Sequence, residues 1–446
     1  MDGAALTAAL ADLVGADHVA DSPPLTDSTG RNVGRPLRVV RPADAAEVAD
    51  VVRLCREARV PIAPVGARTA YWSPLALDGA LAIDVGRLLS LTVEDGVVQA
   101  GAGWAVRPLD QALRQRGAHL PLHPDAFGKT QLGSMVATAC TSGIGMGSGS
   151  LGSHLTGVEW VTGAGTRLWT GAADRPGVPP FLREGGPDLT GLVLGSEGGL
   201  GVITTVAFRQ RPAPWRVRLP GRTADPRRCF PLGLALAGAY DTFRLQRSTR
   251  SGPGWTVDVW VVSAFSPREA AERAVEVARR LGEAGVTVGA PAAETAAARA
   301  GRSPDYDDRW NGPLDGLGDF LARASLRGVD VNAPWSAASP VLQTLEDLVA
   351  AQSNAGVSES RLAIYAAPDF VNLGCHATVA PGEGWSDADD DAAYAALLAL
   401  PVVPYRVGRR WPRAAVESMG SRALLRALKL ACDPDGLLAP GVGPWS

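Results

Sequence analysis

Three stretches of small residues and one histidine carry the chemistry that can be read from this chain. The first stretch is Pro64-Val65-Gly66-Ala67-Arg68-Thr69-Ala70-Tyr71-Trp72-Ser73. It follows the apolar run Pro61-Ile62-Ala63, so it reads as a turn leaving a buried strand. Small residues there expose several backbone N–H groups in one concavity, which suits phosphate oxygens. An ordinary connecting turn is the alternative. The second stretch, Gly133 to Gly152, contains Gly133-Ser134-Met135-Val136-Ala137-Thr138 and then Gly143-Ile144-Gly145. The third, Gly191 to Thr205, contains Gly195-Ser196-Glu197-Gly198-Gly199-Leu200-Gly201-Val202. Glycines held between apolar segments let backbone approach a ligand closely. A linker is the alternative for the second stretch. His376 lies in Val371-Asn372-Leu373-Gly374-Cys375-His376-Ala377-Thr378-Val379. Histidine is the natural base for a hydroxyl proton near neutral pH. A lone histidine in an apolar strand is more often a satisfied core residue, so both roles stay open.

The elements that must position these residues alternate. Ala4–Val14 reads as an amphipathic helix, Asp21–Pro36 as a polar loop and Leu37–Val40 as a strand. A helix opens at Pro42-Ala43-Asp44, and strands follow at Pro61–Pro64, Leu81–Asp84 and Val97–Gly103. Pro108–Gly117 is a helix and Leu155–Thr162 a strand. Beyond Pro212–Trp215 the pattern restarts. Strands are expected at Trp255–Ser263, Gly328–Asn332, Arg361–Ala366 and Asn372–Val379. Helices are expected at Pro267–Leu281, Pro340–Ala355, Ser386–Leu400 and Ser421–Leu430. The mixture indicates an α+β protein with more than one domain.

Composition narrows the function classes. The chain has 446 residues, 46% hydrophobic and 20% charged, with a formal net charge of −3. That is ordinary for a globular protein with a sizeable core. Basic residues are not bunched, which argues against a nucleic-acid partner. Lys129 and Lys429 are the two lysines. The preference for Arg reads as the coding bias of a GC-rich bacterial genome. Five scattered cysteines form no CxxC, so neither a zinc site nor a disulfide framework is indicated. No signal peptide or membrane span is read, and the cytoplasm is the expected compartment.

Taken together, these pieces resemble the FAD-dependent family of vanillyl-alcohol oxidase and p-cresol methylhydroxylase (PCMH). The resemblance rests on the turn at Gly66, the segment Gly133 to Thr138, the string Gly195 to Thr204 and the ending Asp433-Pro434-Asp435-Gly436 through Ala439-Pro440-Gly441. It implies a two-subdomain PCMH-type FAD-binding domain over residues 1–214 and a mixed α/β cap over 215–404. Residues 405–446 would return to the FAD domain. It implies cofactor contacts at Pro64, Val65, Gly66, Ala67, Arg68, Thr69, Ala70, Pro124, Gly133, Ser134, Thr138, Gly143, Glu197, Gly201 and Val202.

For chemistry the resemblance implies Tyr71, Asp125, His376, Tyr405 and Arg406. In the phenol-oxidising branch tyrosines and an arginine hold the substrate as an anion, and charge with donors suits an anion in a dry pocket. Tyr71 and the pair Tyr405-Arg406 match that set, while a second family tyrosine is replaced by Met146. An ordinary buried tyrosine, a surface Tyr-Arg pair and a turn aspartate at Asp125 are the alternatives. The expected activity is oxidation of a small alcohol or phenol by hydride transfer to flavin N5. A 2-hydroxy-acid dehydrogenase and a flavin-binding protein without turnover are the other readings. FAD is expected to be non-covalent, because the positions where relatives attach it read Arg68-Thr69-Ala70 and Asp330 here. No metal is expected. The expected partner is a small-molecule substrate, without nucleic acid or membrane, and a homodimer is the candidate assembly.

Overall fold

A computed structural model describes residues 2–27, 32–70, 76–124, 128–141, 145–250, 252, 254–300, 325–379, 384–405 and 419–445. Tyr71, Asp125, Gly143 and Arg406 lie outside this set.

Asp44 starts the helix Ala45–Ala58 by accepting hydrogen bonds from the backbone N–H groups of Ala46 and Glu47. Such a cap satisfies donors that the first turn leaves orphaned. Val48, Val51, Val52 and Cys55 fall on one face and are buried. The helix is the crossover between two strands, Arg38–Val40 and Ile62–Val65, that both pair in parallel with Leu81–Asp84. Val19–Ala20 completes this four-stranded sheet. A second sheet of five antiparallel strands has the order Arg167–Trp169, Leu155–Thr162, Gly201–Arg209, Val97–Gly101, Leu91–Glu94. One apolar cluster runs from Leu10 and Val48 through Ile62 to Val158 and Phe208 and joins the two sheets.

One stretch departs from the sequence expectation, and another resolves an open one. Within Asp21–Pro36 the chain forms a short strand pair, Leu25–Thr26 with Asn32–Gly34. Val33 is buried there in a small cluster with Ala63 and Val65, so one apolar residue anchors an otherwise polar stretch. The described part of the stretch from Gly133 to Gly152 is structured. It forms the short helix Leu132–Ala137 and the single turns Met146–Ser148 and Leu151–Ser153.

The remainder is built on a nine-stranded antiparallel sheet with Trp215–Thr223, Trp255–Ser263, Tyr240–Ser248, Glu359–Ala366, Val371–Val379, Ser325–Ala333 and Val403–Tyr405 in that order. Thr287–Val288 and Ala292–Ala293 pair with the first of these. Trp215–Thr223 and Tyr240–Ser248 add to the strands expected from sequence. Alternation puts Val329, Val331, Leu362, Leu373 and Cys375 into one core with Val341 and Leu345 of the helix Ala338–Asn354. Pro267–Glu283 and Asp387–Leu398 pack into the same core. The opposite face of the sheet is polar. Ala367 and Phe370, from the turn after Glu359–Ala366, pack into the core of the first two sheets. Gly147 lies so close to the cap that a Cβ there would stand 2.1 Å from the Tyr240 carbonyl oxygen.

Candidate functional site

The three small-residue stretches meet. Gly66 lies where the strand Ile62–Val65 ends, and a Cβ on it would stand 2.2 Å from Ser134 Oγ and 2.9 Å from Gln131 Oε1. Only glycine allows this approach. Thr69 Oγ1 lies 3.0 Å from Thr130 Oγ1, so the turn Gly66–Ala70 rests against the start of the helix Leu132–Ala137. At the helix end, Thr138 Oγ1 donates to the Ser134 carbonyl oxygen. Ala137 accepts from the N–H of Glu197 at 2.7 Å. Glu197 adopts φ 49°, in the left-handed region, and Gly198 next to it packs on Pro64. Gly133 donates to the Ala102 carbonyl and has no room for a side chain against the Ala102 methyl.

Among the described residues, the backbone N–H groups of Ala67, Arg68, Thr69 and Ser134 donate to no acceptor. Gln131 Oε1 is buried without a partner. The four N–H groups belong to exposed or half-buried residues, so together with the buried Gln131 Oε1 they leave polar groups open to a polar ligand. Arg68 directs its guanidinium away from the turn, to the Thr26 carbonyl. Val65 is buried beside Ala63, Val202 is in the core, and Gly201 abuts the indole of Trp160. Pro124 is buried at the end of a segment that packs against Gly145.

A second group of residues stands on the polar face of the cap sheet. Register places Asp330 opposite Gly374 on one side and Tyr405 on the other, and His376 opposite Gly328 and Arg361. His376 Nε2 lies 3.1 Å from Asp330 Oδ2. A Cβ on Gly374 would stand 1.9 Å from Asp330 Oδ1. Glycine at 374 therefore lets the carboxylate lie across the strand onto the imidazole. Asp330 is buried and His376 half-buried, with side-chain exposures of 5% and 20%. An ionised carboxylate only accepts, so Nε2 donates and Nδ1 is the basic nitrogen. Tyr405 is buried, and its hydroxyl bonds both the N–H and the carbonyl oxygen of Thr141. That contact ties the cap sheet to the loop just beyond the helix Leu132–Ala137.

Sequence reasoning named His376 and Tyr405 but missed Asp330 as their neighbour. Asp330 stands 46 positions from His376, and only the pairing of two strands joins them. Cys375 points the other way. Its thiol donates to Gln352 Oε1 in the helix-covered core, where burial pushes its pKa up. Among the described residues no group of three or more His, Cys, Asp or Glu side chains could hold a metal ion. No helix there is long and apolar enough to cross a membrane.

Comparison with known proteins fits this geometry. Residues 36–171 match the FAD binding domain family. The mitochondrial D-lactate dehydrogenase [cytochrome] of Arabidopsis thaliana is 32% identical over 194 residues, which cover 42% of this chain and 32% of that protein. The match thus spans about a third of that relative's length. The whole fold is similar to 4-ethylphenol oxidase from Gulosibacter chungangensis, with TM-score 0.79, 14% identity and coverage of 98% of this chain and 96% of that one. It is also similar to p-cresol methylhydroxylase, with TM-score 0.76, 16% identity and the same coverages. The small-residue segments lie in and beside the part of the chain that matches the FAD binding domain. The fold is that of the PCMH-type flavoenzymes, and residues 36–171 match an FAD binding domain, so FAD is the cofactor these segments would hold.

The residues present fit that group. A pyrophosphate needs several N–H donors converging where no side chain intrudes. The N–H groups of Ala67, Arg68, Thr69 and Ser134 make no bond within the protein and lie beside a Gly66 that excludes any Cβ, so they are available for such a group.

Proposed function

We propose that the chain is an FAD-dependent oxidoreductase that oxidises a small alcohol or phenol-type substrate. The observation that carries the reading is the Asp330–His376 pair on the polar face of a sheet tied through Tyr405 to the cofactor domain. When bound, FAD supplies the acceptor for a hydride. The segments Pro64 to Ala70, Gly133 to Thr138 and Glu197 to Val202 would hold it. His376 takes the proton of the substrate hydroxyl at Nδ1. Asp330 fixes the tautomer by accepting from Nε2 and stabilises the imidazolium that forms. Tyr405, held by Thr141, keeps the dyad at a constant distance from the cofactor loops. Tyr71, Asp125 and Arg406 are proposed to complete the substrate site. A second reading, a 2-hydroxy-acid dehydrogenase, is supported by the likeness to a D-lactate dehydrogenase.

The test is anaerobic mixing of the purified yellow protein with alkylphenols, benzylic and aliphatic alcohols, and 2-hydroxy acids. Bleaching of the oxidised flavin band by an alcohol or phenol is expected. Bleaching by 2-hydroxy acids alone establishes the second reading. No bleaching by any of them marks a flavin-binding protein without turnover and sinks both.

We also propose that FAD is held without a covalent bond. Attachment needs a nucleophilic side chain aimed at the flavin, and Asp330 stands where related caps carry a histidine. Cys375 is turned into the helix-covered core. Cys140 is buried with its thiol on the Thr141 carbonyl oxygen at 3.4 Å. Acid precipitation should therefore release yellow FAD into the supernatant. Flavin that stays with the pellet and adds its mass to the intact chain refutes this.

A further inference from the structure

Lys429 is half-buried, with 15% side-chain exposure, low for a residue whose ammonium is strongly hydrated. It lies in the C-terminal helix Arg422–Cys432. Its Nζ donates to the Gly199 carbonyl oxygen at 2.8 Å and to the Leu438 carbonyl oxygen at 2.7 Å, and it lies 2.7 Å from Asp433 Oδ2. Three acceptors thus converge on three donors. A compact ammonium can serve them together, whereas a planar guanidinium cannot. Asp433, with a fully buried side chain, is fixed in turn by the N–H groups of Leu437 and Leu438.

These contacts lead to two walls of the cofactor cradle, one through the tail at Asp433 and Leu438 and one through Gly199. Ile62 donates to Leu437 and accepts from Ala439, both at 2.7 Å, so the tail runs as an extra edge beside the strand that ends at Gly66. Gly199 belongs to the segment that places Gly198 on Pro64 and Glu197 on Ala137. From the other side, Trp445 covers Gly199, where a Cβ would stand 2.2 Å from the indole nitrogen. That indole donates to the Ser196 carbonyl oxygen at 3.3 Å.

We infer that Lys429 is a positioning residue for FAD. It clasps the Gly199 segment to the tail, and the tail to the strand before Gly66, so two of the three cofactor segments are held in register by one side chain. The inference rests on FAD being the cofactor, and it assigns to the C-terminal helix a role in affinity for it. Preorganised donors bind without an ordering cost, so freeing the segment weakens binding even though Lys429 itself touches no ligand.

The test uses the full chain stripped of flavin, as wild type, Lys429→Met and Trp445→Phe. Lys429→Met keeps the apolar stem and removes the donors. FAD dissociation constants come from fluorescence quenching, and melting temperatures are taken with and without FAD. Lys429→Met is expected to raise the FAD Kd by about tenfold or more, and to shrink the FAD-induced rise in Tm. A lower Tm of the flavin-free protein with an unchanged Kd and an unchanged FAD-induced rise means a purely structural lysine, and overturns the inference. Should Lys429→Met not fold, Trp445→Phe decides. It is expected to raise the Kd in the same direction by a smaller factor, and wild-type affinity there overturns the inference. Wild-type protein that binds no FAD overturns the cofactor assignment itself, and the inference with it.

Discussion

Replacing His376 by alanine is expected to lower kcat for an alcohol substrate by about 10²- to 10⁴-fold, the usual contribution of a positioned general base. FAD affinity should stay near wild type, because the cradle at Gly66, Ser134 and Glu197 lies in a different part of the fold. Asp330→Asn separates orientation from base strength. Its amide can present an N–H to Nε2 and so reverse the tautomer, moving the proton to Nδ1. A loss in kcat is expected there with the flavin spectrum unchanged. An unchanged kcat in His376→Ala, with a substrate that bleaches the wild-type flavin, removes the dyad from the mechanism. It would leave His376 as a polar residue satisfied by Asp330 on a sheet face.

Much of the scaffold around that dyad is legible in the sequence, and the reasons are local. Asp44 announces a helix, and Ser266 followed by Pro267 announces another, because capping residues act within one turn. The helix Pro267–Glu283 buries Ala270, Ala274, Val277 and Leu281 at helical spacing. The glycine stretches are legible as close approaches, yet what they approach is not. Nothing near Gly66 points to Ser134, and nothing near Gly374 points to Asp330. Those contacts come from packing between segments far apart in the chain. The arginines of Trp215–Thr223 are the sharpest example. Their alternation with Trp215, Val217 and Leu219 fits a strand with one polar face, although the sequence reading gives only a boundary there. That Arg216 would be buried against the cofactor domain depends on how that face docks, which no local pattern encodes.

That docking face holds the second large effect. Asp110 and Arg114, one turn apart on the helix Val106–Arg114, have fully buried side chains, and Arg114 Nε donates to Asp110 Oδ2 at 2.7 Å. The Leu120 N–H donates to Asp110 Oδ1 at 2.7 Å, and His123 Nε2 lies 3.5 Å from the same oxygen. Glu294 from the cap stands 3.7 Å from Arg114 and 3.8 Å from Arg216, and Arg216 Nε donates to Asp241 at 2.5 Å. Burial alone would raise the pKa of Asp110, but Arg114 and His123 hold it well below the usual carboxylate range. Burial pushes His119 and His123 below their usual value and Glu294 above its own. Asp110→Ala removes one charge and leaves Arg114 in a dry junction without its nearest carboxylate, the more distant Glu294 remaining. Breaking a buried pair from one side costs about 3–5 kcal/mol, a large share of the ~5–15 kcal/mol that stabilises a typical protein. The expected result is therefore a cooperative loss of that size in denaturant unfolding. Asp110→Leu with Arg114→Met should recover a good part of it, since no charge is then stranded. The pH dependence has a definite sign. A histidine with a lowered folded pKa binds fewer protons than the unfolded chain below 6.5, so His119 and His123 withdraw stability as pH falls through that value. His154, lowered to about 4 by burial and Arg211, acts the same way between 6.5 and about 4. The stabilisation that Asp110 provides is present above 3.8 and is lost as pH falls below it. Glu294 works in the opposite sense, favouring the folded state when protonated, and so moderates the acid loss above 4.5. Melting temperatures taken from pH 7 down to pH 4 should therefore fall monotonically. A flat profile, or an Asp110→Ala protein as stable as wild type, would show that the junction is held by its apolar contacts at Ala367 and Phe370 and not by this charge network.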